Sequence, residues 1–286
     1  MKLDLHVHST FSDGSYTPEQ VVDTAIGLGI SAISITDHDN VLSYEVAKTY
    51  AQQLAAQGKN IEIIPGVEIN TIWENNEIHI LGYYMDFKSK SFQDLIKYQQ
   101  HARVDQTVKI LENLKKKAGI DIDFGKIKNL VADGGSIGRP HIAKAIVQSG
   151  GTLNILDAYN KYINNESPVY VKRKTVSPHE AVEVIYESGG VPVLAHPCDL
   201  ESAEELIKDL MNYGLRGVEA YHRKHSPAMV EYYSSIAERL GLIVTGGSDF
   251  HGPGYNNQII MGKNFVPAWV LDELKKEKSR ITLASG

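Results

Sequence analysis

Short apolar runs alternating with amphipathic stretches are the feature that most constrains this chain. LDLHVHS, AISIT, IEIIPG, EIHILGYY, GVPVLA, RGVEAY and LIVTGG read as seven strands. Helix signals stand between many of them. Thr17 is a good N-cap, with Pro18 at the first helical position and Gln20 three residues after the cap. Val21, Val22, Ala25, Ile26 and Leu28 supply an apolar face, and Gly29 is a stop signal. Ser43 to Gln57 reads as a second helix. Ser177-Pro178-His179-Glu180 opens another, Glu201 to Tyr213 a further one, and Ser226-Pro227 opens one closed by Gly241. Repeated β-α alternation implies a parallel sheet or barrel.

The middle of the chain breaks the rhythm. Ser91 to Ala118 carries one long helical pattern, and two shorter patterns follow near Pro140–Ser149 and Leu153–Tyr162. No strand pattern appears between Tyr84 and Pro168. The expected organisation is therefore a barrel built from residues 1–90 and 170–286, with a helical insertion over 91–169. The run Lys115-Lys116-Lys117 reads as a solvated helix end.

Composition then excludes several functions. No apolar run approaches the ~20 residues needed to span a bilayer. The first strand begins almost at Met1, which leaves no room for a signal peptide. Cys198 is the only cysteine of the 286 residues, so an internal disulfide or a cysteine zinc site is impossible. A cytoplasmic location fits these readings. The net charge of −6 gives no global attraction for long nucleic acid, so any anion must be captured locally.

Residues at i and i+2 of a strand share a face, so His6 and His8 project together. An HxH pair alone is weak. Several other strand ends, however, also carry metal-ligand residue types: His38 after ISIT, Glu68 after IIPGV, His79 within EIHILGYY, His196 after VPVLA, and Asp249 and His251 after LIVTGG. Asp13 follows the first strand. In β/α barrels the C-terminal strand ends converge on one mouth. His6, His8, Asp13, His38, Glu68, His79, His196, Asp249 and His251 together exceed the three or four ligands of a single zinc ion. They suggest two or three divalent metals sharing a carboxylate. Such ligands suit Mn, Fe(II) or Zn, and such a centre suits phosphoryl chemistry.

HVHSTFSDG, ITDHDN, PGVEIN, IHILGY, LAHP and GSDFH, in that order, resemble the motifs of the PHP (polymerase and histidinol phosphatase) superfamily. The resemblance implies a distorted TIM-like (β/α)7 barrel with a trinuclear metal centre. It implies that His6, His8, Glu68 and Asp249 hold one metal and that Asp13, His38 and His251 hold a second. His79 and His196 would hold a third, with Glu68 as the bridge. SIGRPHIAKAIV resembles the insertion of the small stand-alone phosphoesterases of that superfamily, which act on nucleoside 3′,5′-bisphosphates or trim short oligoribonucleotides from the 5′ end. Manganese is the metal this implies first, and a small phosphorylated nucleotide or short RNA the substrate.

For the substrate's phosphates, Arg139 and His141 straddle Pro140 at an expected helix start, where free N–H groups attract anions. Arg223 and His222 lie at the end of RGVEAYHRKH, and Arg103 lies on the long helix. The segment Lys172-Arg173-Lys174 reads most simply as a solvated re-entry loop. Tyr83 and Tyr84 can stack on a base or pack behind their strand. Two alternatives stand beside the bisphosphatase reading: a histidinol-phosphate-type monoesterase, and a nucleic-acid-binding or proofreading module.

Overall fold

The computed structural model describes residues 1–74, 76–253, 258–263 and 266–284. Among these residues eight strands form two sheets. The first sheet pairs β1 (Lys2–Val7), β2 (Ile30–Ile35) and β3 (Glu62–Ile63), all parallel. The second has the order β4 (Gly66–Trp73), β5 (Asn76–Tyr83), β6 (Val191–Leu194), β7 (Gly217–His222) and β8 (Ile243–Gly247). Two isolated parallel bridges, Val7 to Phe250 and His38 to Glu68, join the sheets at both seams.

Two expectations are corrected here. The run IEIIPG is not one strand: Pro65 has no N–H to donate, and pairing breaks between β3 and β4. Nor is the pairing parallel throughout. β4 and β5 form an antiparallel hairpin, with Asn70 opposite His79, and β5 also runs antiparallel to β6. The structure is α/β, but its strands form two sheets rather than a continuous closed ladder.

The capped helices fall close to their sequence signals. α1 (Pro18–Gly27) has the full capping box between Thr17 and Gln20. α2 spans Leu42–Ala55. Helices α7 (Pro178–Glu187), α8 (Ala203–Met211), α9 (Pro227–Leu240) and α10 (Trp269–Ala284) follow later in the chain. Between β5 and α7 the regular structure is helical: α3 (Lys90–Asn113), α4 (Phe124–Lys128), α5 (Arg139–Gln148) and α6 (Ile155–Ala158). Single π-type turns extend α3 and α6, at Leu114–Ala118 and Tyr159–Ile163. No helix among the described residues is long and apolar enough to cross a membrane.

Three apolar clusters hold these elements. One lies among the second sheet, β1 and the later helices, around Leu5, Ile80, Val193 and Val218. A second lies under α1 and α2, around Val7, Val21 and Ile33. The third is confined to residues 110–171, around Ile110, Ile142, Ile146 and Ile163, so the helical segment has apolar packing of its own. Tyr83 is fully buried, with its hydroxyl donating to the Leu5 carbonyl at 2.9 Å, which makes it a packing group.

Gly66 opens β4 where the strand passes against β2. A Cβ there would sit 2.1 Å from Ser34 Oγ and 2.9 Å from Thr36 Cγ2. Overpacking of this kind costs about 1–3 kcal/mol. Gly66→Ala should lower stability by that amount in denaturant unfolding; an unchanged midpoint contradicts the close approach.

Candidate metal centre

The sequence folds so that a period-2 strand and several strand-end turns deliver ring nitrogens and carboxylates to one place. β1 carries His6 and runs into His8, both fully buried. Its end is tied to the turn after β8 by Asp249 N–H to His6 O (2.8 Å) and His8 N–H to Phe250 O (2.8 Å). This register sets Asp249 beside the two histidines. Asp39, His196 and Asp249 all have positive φ, at 51°, 24° and 51°. Such strained backbone in non-glycine residues clusters at functional sites.

Glu68 is the hub. It is 1% exposed. Its Oε1 lies 2.8 Å from His79 Nδ1 and 3.1 Å from His196 Nε2. Its Oε2 lies 2.9 Å from His38 Nδ1, 3.3 Å from His8 Nε2 and 3.4 Å from His6 Nε2. The β4–β5 hairpin explains the His79 contact, because with Asn70 opposite His79 the residue two before it is the diagonal neighbour. A second focus forms around Asp13 Oδ1, 3.3 Å from His251 Nε2, 3.8 Å from His38 Nε2 and 4.0 Å from His8 Nδ1. Asp249 Oδ1 lies 3.3 Å from His8 Nε2 and 3.7 Å from His6 Nε2. All nine residues singled out in the sequence therefore meet in one cluster.

The electrostatics follow from burial and crowding. Burial alone would raise the Glu68 carboxyl, but His38, His79 and His6 hold it well below the usual range. Burial would likewise discharge His8, yet the Asp249 and Glu68 carboxylates beside it push it up to about 10. The carboxylates thus make a field that demands positive charge. Five atoms lie buried there close to one another but with no hydrogen bond of good geometry among the described residues: His6 Nε2, His8 Nε2, His38 Nδ1, Asp13 Oδ1 and Glu68 Oε2. Buried polar atoms are rarely left in that state. Converging imidazole nitrogens and carboxylate oxygens can hold divalent cations, and three of the sets that do so geometrically are His8–Asp13–His38–His251, His6–His8–Glu68 and His38–Glu68–His79.

A supporting shell went unread in the sequence. Glu219, fully buried in β7, bonds His6 Nδ1 at 2.9 Å and accepts the His196 N–H at 2.9 Å. A carboxylate behind a ligating histidine fixes its ring and tautomer. Its signal was a lone acid within an apolar strand, which must have a buried partner. Asp37 accepts from Ser9 N (2.7 Å), Ser9 Oγ (2.6 Å) and Ser12 Oγ (2.6 Å), shaping the loop that carries Asp13. In the same loop a Cβ on Gly14 would meet the His8 carbonyl carbon and oxygen at 2.6 Å, so only glycine fits. Asp39 accepts from Arg103 Nε at 2.6 Å and Gln99 Nε2 at 3.0 Å, joining α3 to the site.

The expected phosphate contacts divide. Arg139 and Arg103 line a cavity of about 120 Å³ that also touches Asp13, His38 and His79. Arg139 pairs with Glu77. Arg103 also bonds the Asn70 side chain and the Ile137 carbonyl, the latter at 3.1 Å. Arg223 donates to Asp249 Oδ2 at 3.0 Å, and His222 Nε2 lies 3.6 Å from the same oxygen. His141 is buried and does not line that cavity; its Nδ1 accepts the Gly138 N–H at 2.9 Å and caps α5. Arg173 departs from the solvated-loop reading. It is only 8% exposed and lines the cavity.

A buried histidine–carboxylate centre beside an arginine-lined cavity, on an α/β scaffold, defines a metal-dependent phosphoesterase. The chain belongs to the PHP domain family, whose model matches residues 4–166. It is 32% identical over 254 residues to the 5′-3′ exoribonuclease Rnm of Salmonella typhimurium, covering 87% of this chain and 85% of that protein. It is 31% identical over 256 residues to the 3′,5′-nucleoside bisphosphate phosphatase of Chromobacterium violaceum, covering 88% of each. A Bifidobacterium adolescentis structure, described as a predicted metal-dependent phosphoesterase, superposes with a TM-score of 0.85 at 30% identity. That alignment covers 95% of this chain and 94% of the other.

The Asp37 side chain bonds only Ser9 and Ser12 of the loop, so its truncation separates support from chemistry. Asp37→Ala removes three hydrogen bonds from buried groups. The loss should be about 2–4 kcal/mol in chemical unfolding. A variant as stable as the parent contradicts this role.

Proposed function

We propose that this protein hydrolyses a phosphate ester of a small nucleotide, using two or three divalent cations with manganese first among them. The substrate is a nucleoside 3′,5′-bisphosphate, a 5′-phosphorylated short oligoribonucleotide, or both. One observation carries this reading: three imidazole nitrogens, of His6, His8 and His38, converge with Glu68 Oε2 and Asp13 Oδ1, all five buried and none in a hydrogen bond of good geometry. Their chemistry, imidazole and carboxylate, fits Mn, Fe(II) or Zn. His6, His8, Glu68 and Asp249 would hold one ion, Asp13, His38 and His251 a second, and His79 and His196 a third, with Glu68 shared. Divalent cations, when bound, lower the pKa of water and offset charge on phosphoryl oxygens in an in-line displacement.

The chain's own groups divide the remaining work. Glu219 and the Asp249 carbonyl hold the Nδ1 atoms of His6 and His251, which turns both Nε2 atoms toward the centre. Arg139, at the first position of α5, adds its guanidinium to the free N–H groups of the helix start. Its present partner, Glu77, is half-exposed and can be exchanged for a phosphate. Arg223 and His222 sit against Asp249 on the other side of the centre.

The same two relatives support the substrate class, because an RNA backbone ester and a nucleotide's terminal phosphate call for the same attack on phosphorus. We read residues 91–169 as a unit capping the mouth, and residues 1–90 and 170–286 as the catalytic body. The two seam bridges favour treating its sheets as one distorted barrel of the (β/α)7 type. A net charge of −6 favours short substrates over long nucleic acid.

With manganese present, His196→Ala and Asp249→Ala should each lower phosphate release from adenosine 3′,5′-bisphosphate by more than about 100-fold, since even a residue behind a metal ligand is worth about 10–100-fold. Full activity in both purified, folded variants overturns the reading.

A further inference from the structure

The cavity beside the metal centre is walled by Arg103, Arg139 and Arg173. Their donors are used very unequally. All three nitrogens of Arg103 are engaged: Nε goes to Asp39, Nη1 to the Ile137 carbonyl and Nη2 to Asn70. Arg139 is paired with Glu77. Arg173 has one ionic neighbour, Asp39 Oδ2 at 3.8 Å, which is too far for a hydrogen bond and already taken by Arg103. Among the described residues it makes no hydrogen bond at all, although only 8% of its side chain is exposed.

A guanidinium has five N–H donors and is costly to bury unpaired. Its nitrogens are not sealed in protein, since Arg173 lines the cavity. Burial, and then the neighbouring Arg103 charge, bring it down to about 10, so it is still cationic at neutral pH. The same cavity also touches Asp13, His38 and His79 of the metal centre. The direct ionic partners are two: Glu77 pairs with Arg139, and Asp39 is engaged by Arg103. Arg173 is therefore the arginine of this wall whose donors are unspent, in the cavity that also borders the metal centre.

We propose that Arg173 is the specificity-determining anchor for a nucleotide phosphate that is bound but not cleaved, and so sets the preference for a substrate carrying two phosphates. The proposal rests on the phosphoesterase reading above. Arg139 borders the same phosphate, but must first exchange Glu77. Arg173 needs to release no hydrogen bond. Planar, bidentate donors favour arginine over lysine here.

Steady-state kinetics of the manganese-loaded parent, Arg173→Ala and Arg173→Lys test it, with adenosine 3′,5′-bisphosphate, a 5′-phosphorylated dinucleotide and p-nitrophenyl phosphate as substrates. Losing a charged hydrogen-bond donor should lower kcat/KM for the bisphosphate roughly 10- to 100-fold, mostly through KM. Turnover of p-nitrophenyl phosphate should stay within about threefold, and lysine should restore part of the loss. A parallel loss on the dinucleotide assigns the anchor to backbone phosphates as well; an effect on the bisphosphate alone restricts it to terminal ones. No loss on either nucleotide, or an equal loss on all three substrates, overturns the proposal. If the parent itself handles the bisphosphate no better than p-nitrophenyl phosphate, the two-phosphate substrate reading fails instead. Calorimetric titration with adenosine 3′,5′-bisphosphate then decides Arg173 alone: tenfold weaker binding in Arg173→Ala supports it, and equal binding refutes it.

Discussion

The burial of Glu68 among imidazoles is the constraint on which the rest of the site depends. Its two oxygens reach five histidines, from β1, from the turns after β2 and β6, and from β5. A carboxylate in that position is tolerable only if positive charge surrounds it. The bridge between His38 and Glu68 and the Asp249–His6 backbone bond close the two seams at the same level. The geometry of the sheets and the geometry of the site are thus one problem. Shifting β4 by one residue would turn Glu68 to the other face and leave the histidines without their anion.

Around that centre lies a graded shell. Glu219, Asp37 and Asp39 are buried carboxylates that ligate nothing in our reading, but each holds a part that does. Glu219 fixes ring orientation, Asp37 the loop of Asp13, and Asp39 the contact with α3 through Arg103. The last of these matters for specificity. Arg103 bonds Asn70, and Asn70 Nδ2 lies 2.6 Å from His79 Nε2. The helical segment and the metal centre are therefore linked through hydrogen bonds rather than by proximity alone.

Much of this was legible in the sequence. Strand alternation and caps such as Thr17–Gln20 placed most helices within two residues, because those signals are local. The nine ligand-type residues were readable because charged and imidazole side chains rarely stand within or just beyond apolar strands without a purpose, although Glu68 and His79 lie inside β4 and β5 rather than at strand ends. The β4–β5 hairpin was not read: IEIIPG was taken as the whole strand with Glu68 beyond its end, whereas Pro65 breaks that run and Glu68 lies inside β4, which turns straight back into β5. Glu219 escaped because one acid in an apolar strand carries no motif. Arg173 escaped for the opposite reason. Flanked by Lys172 and Lys174, it read as part of a solvated basic run, and only the packing of α3 shows that it is enclosed.

The claim that this buried cluster exists to hold divalent metal is tested most directly by measuring manganese bound per chain in the parent and in Glu68→Ala, on folded, dialysed protein. Binding of two or three equivalents in the parent, falling by at least one in the variant, is the expected result for a shared carboxylate. A parent that binds no manganese, zinc or iron, or a variant that binds as much as the parent, contradicts it.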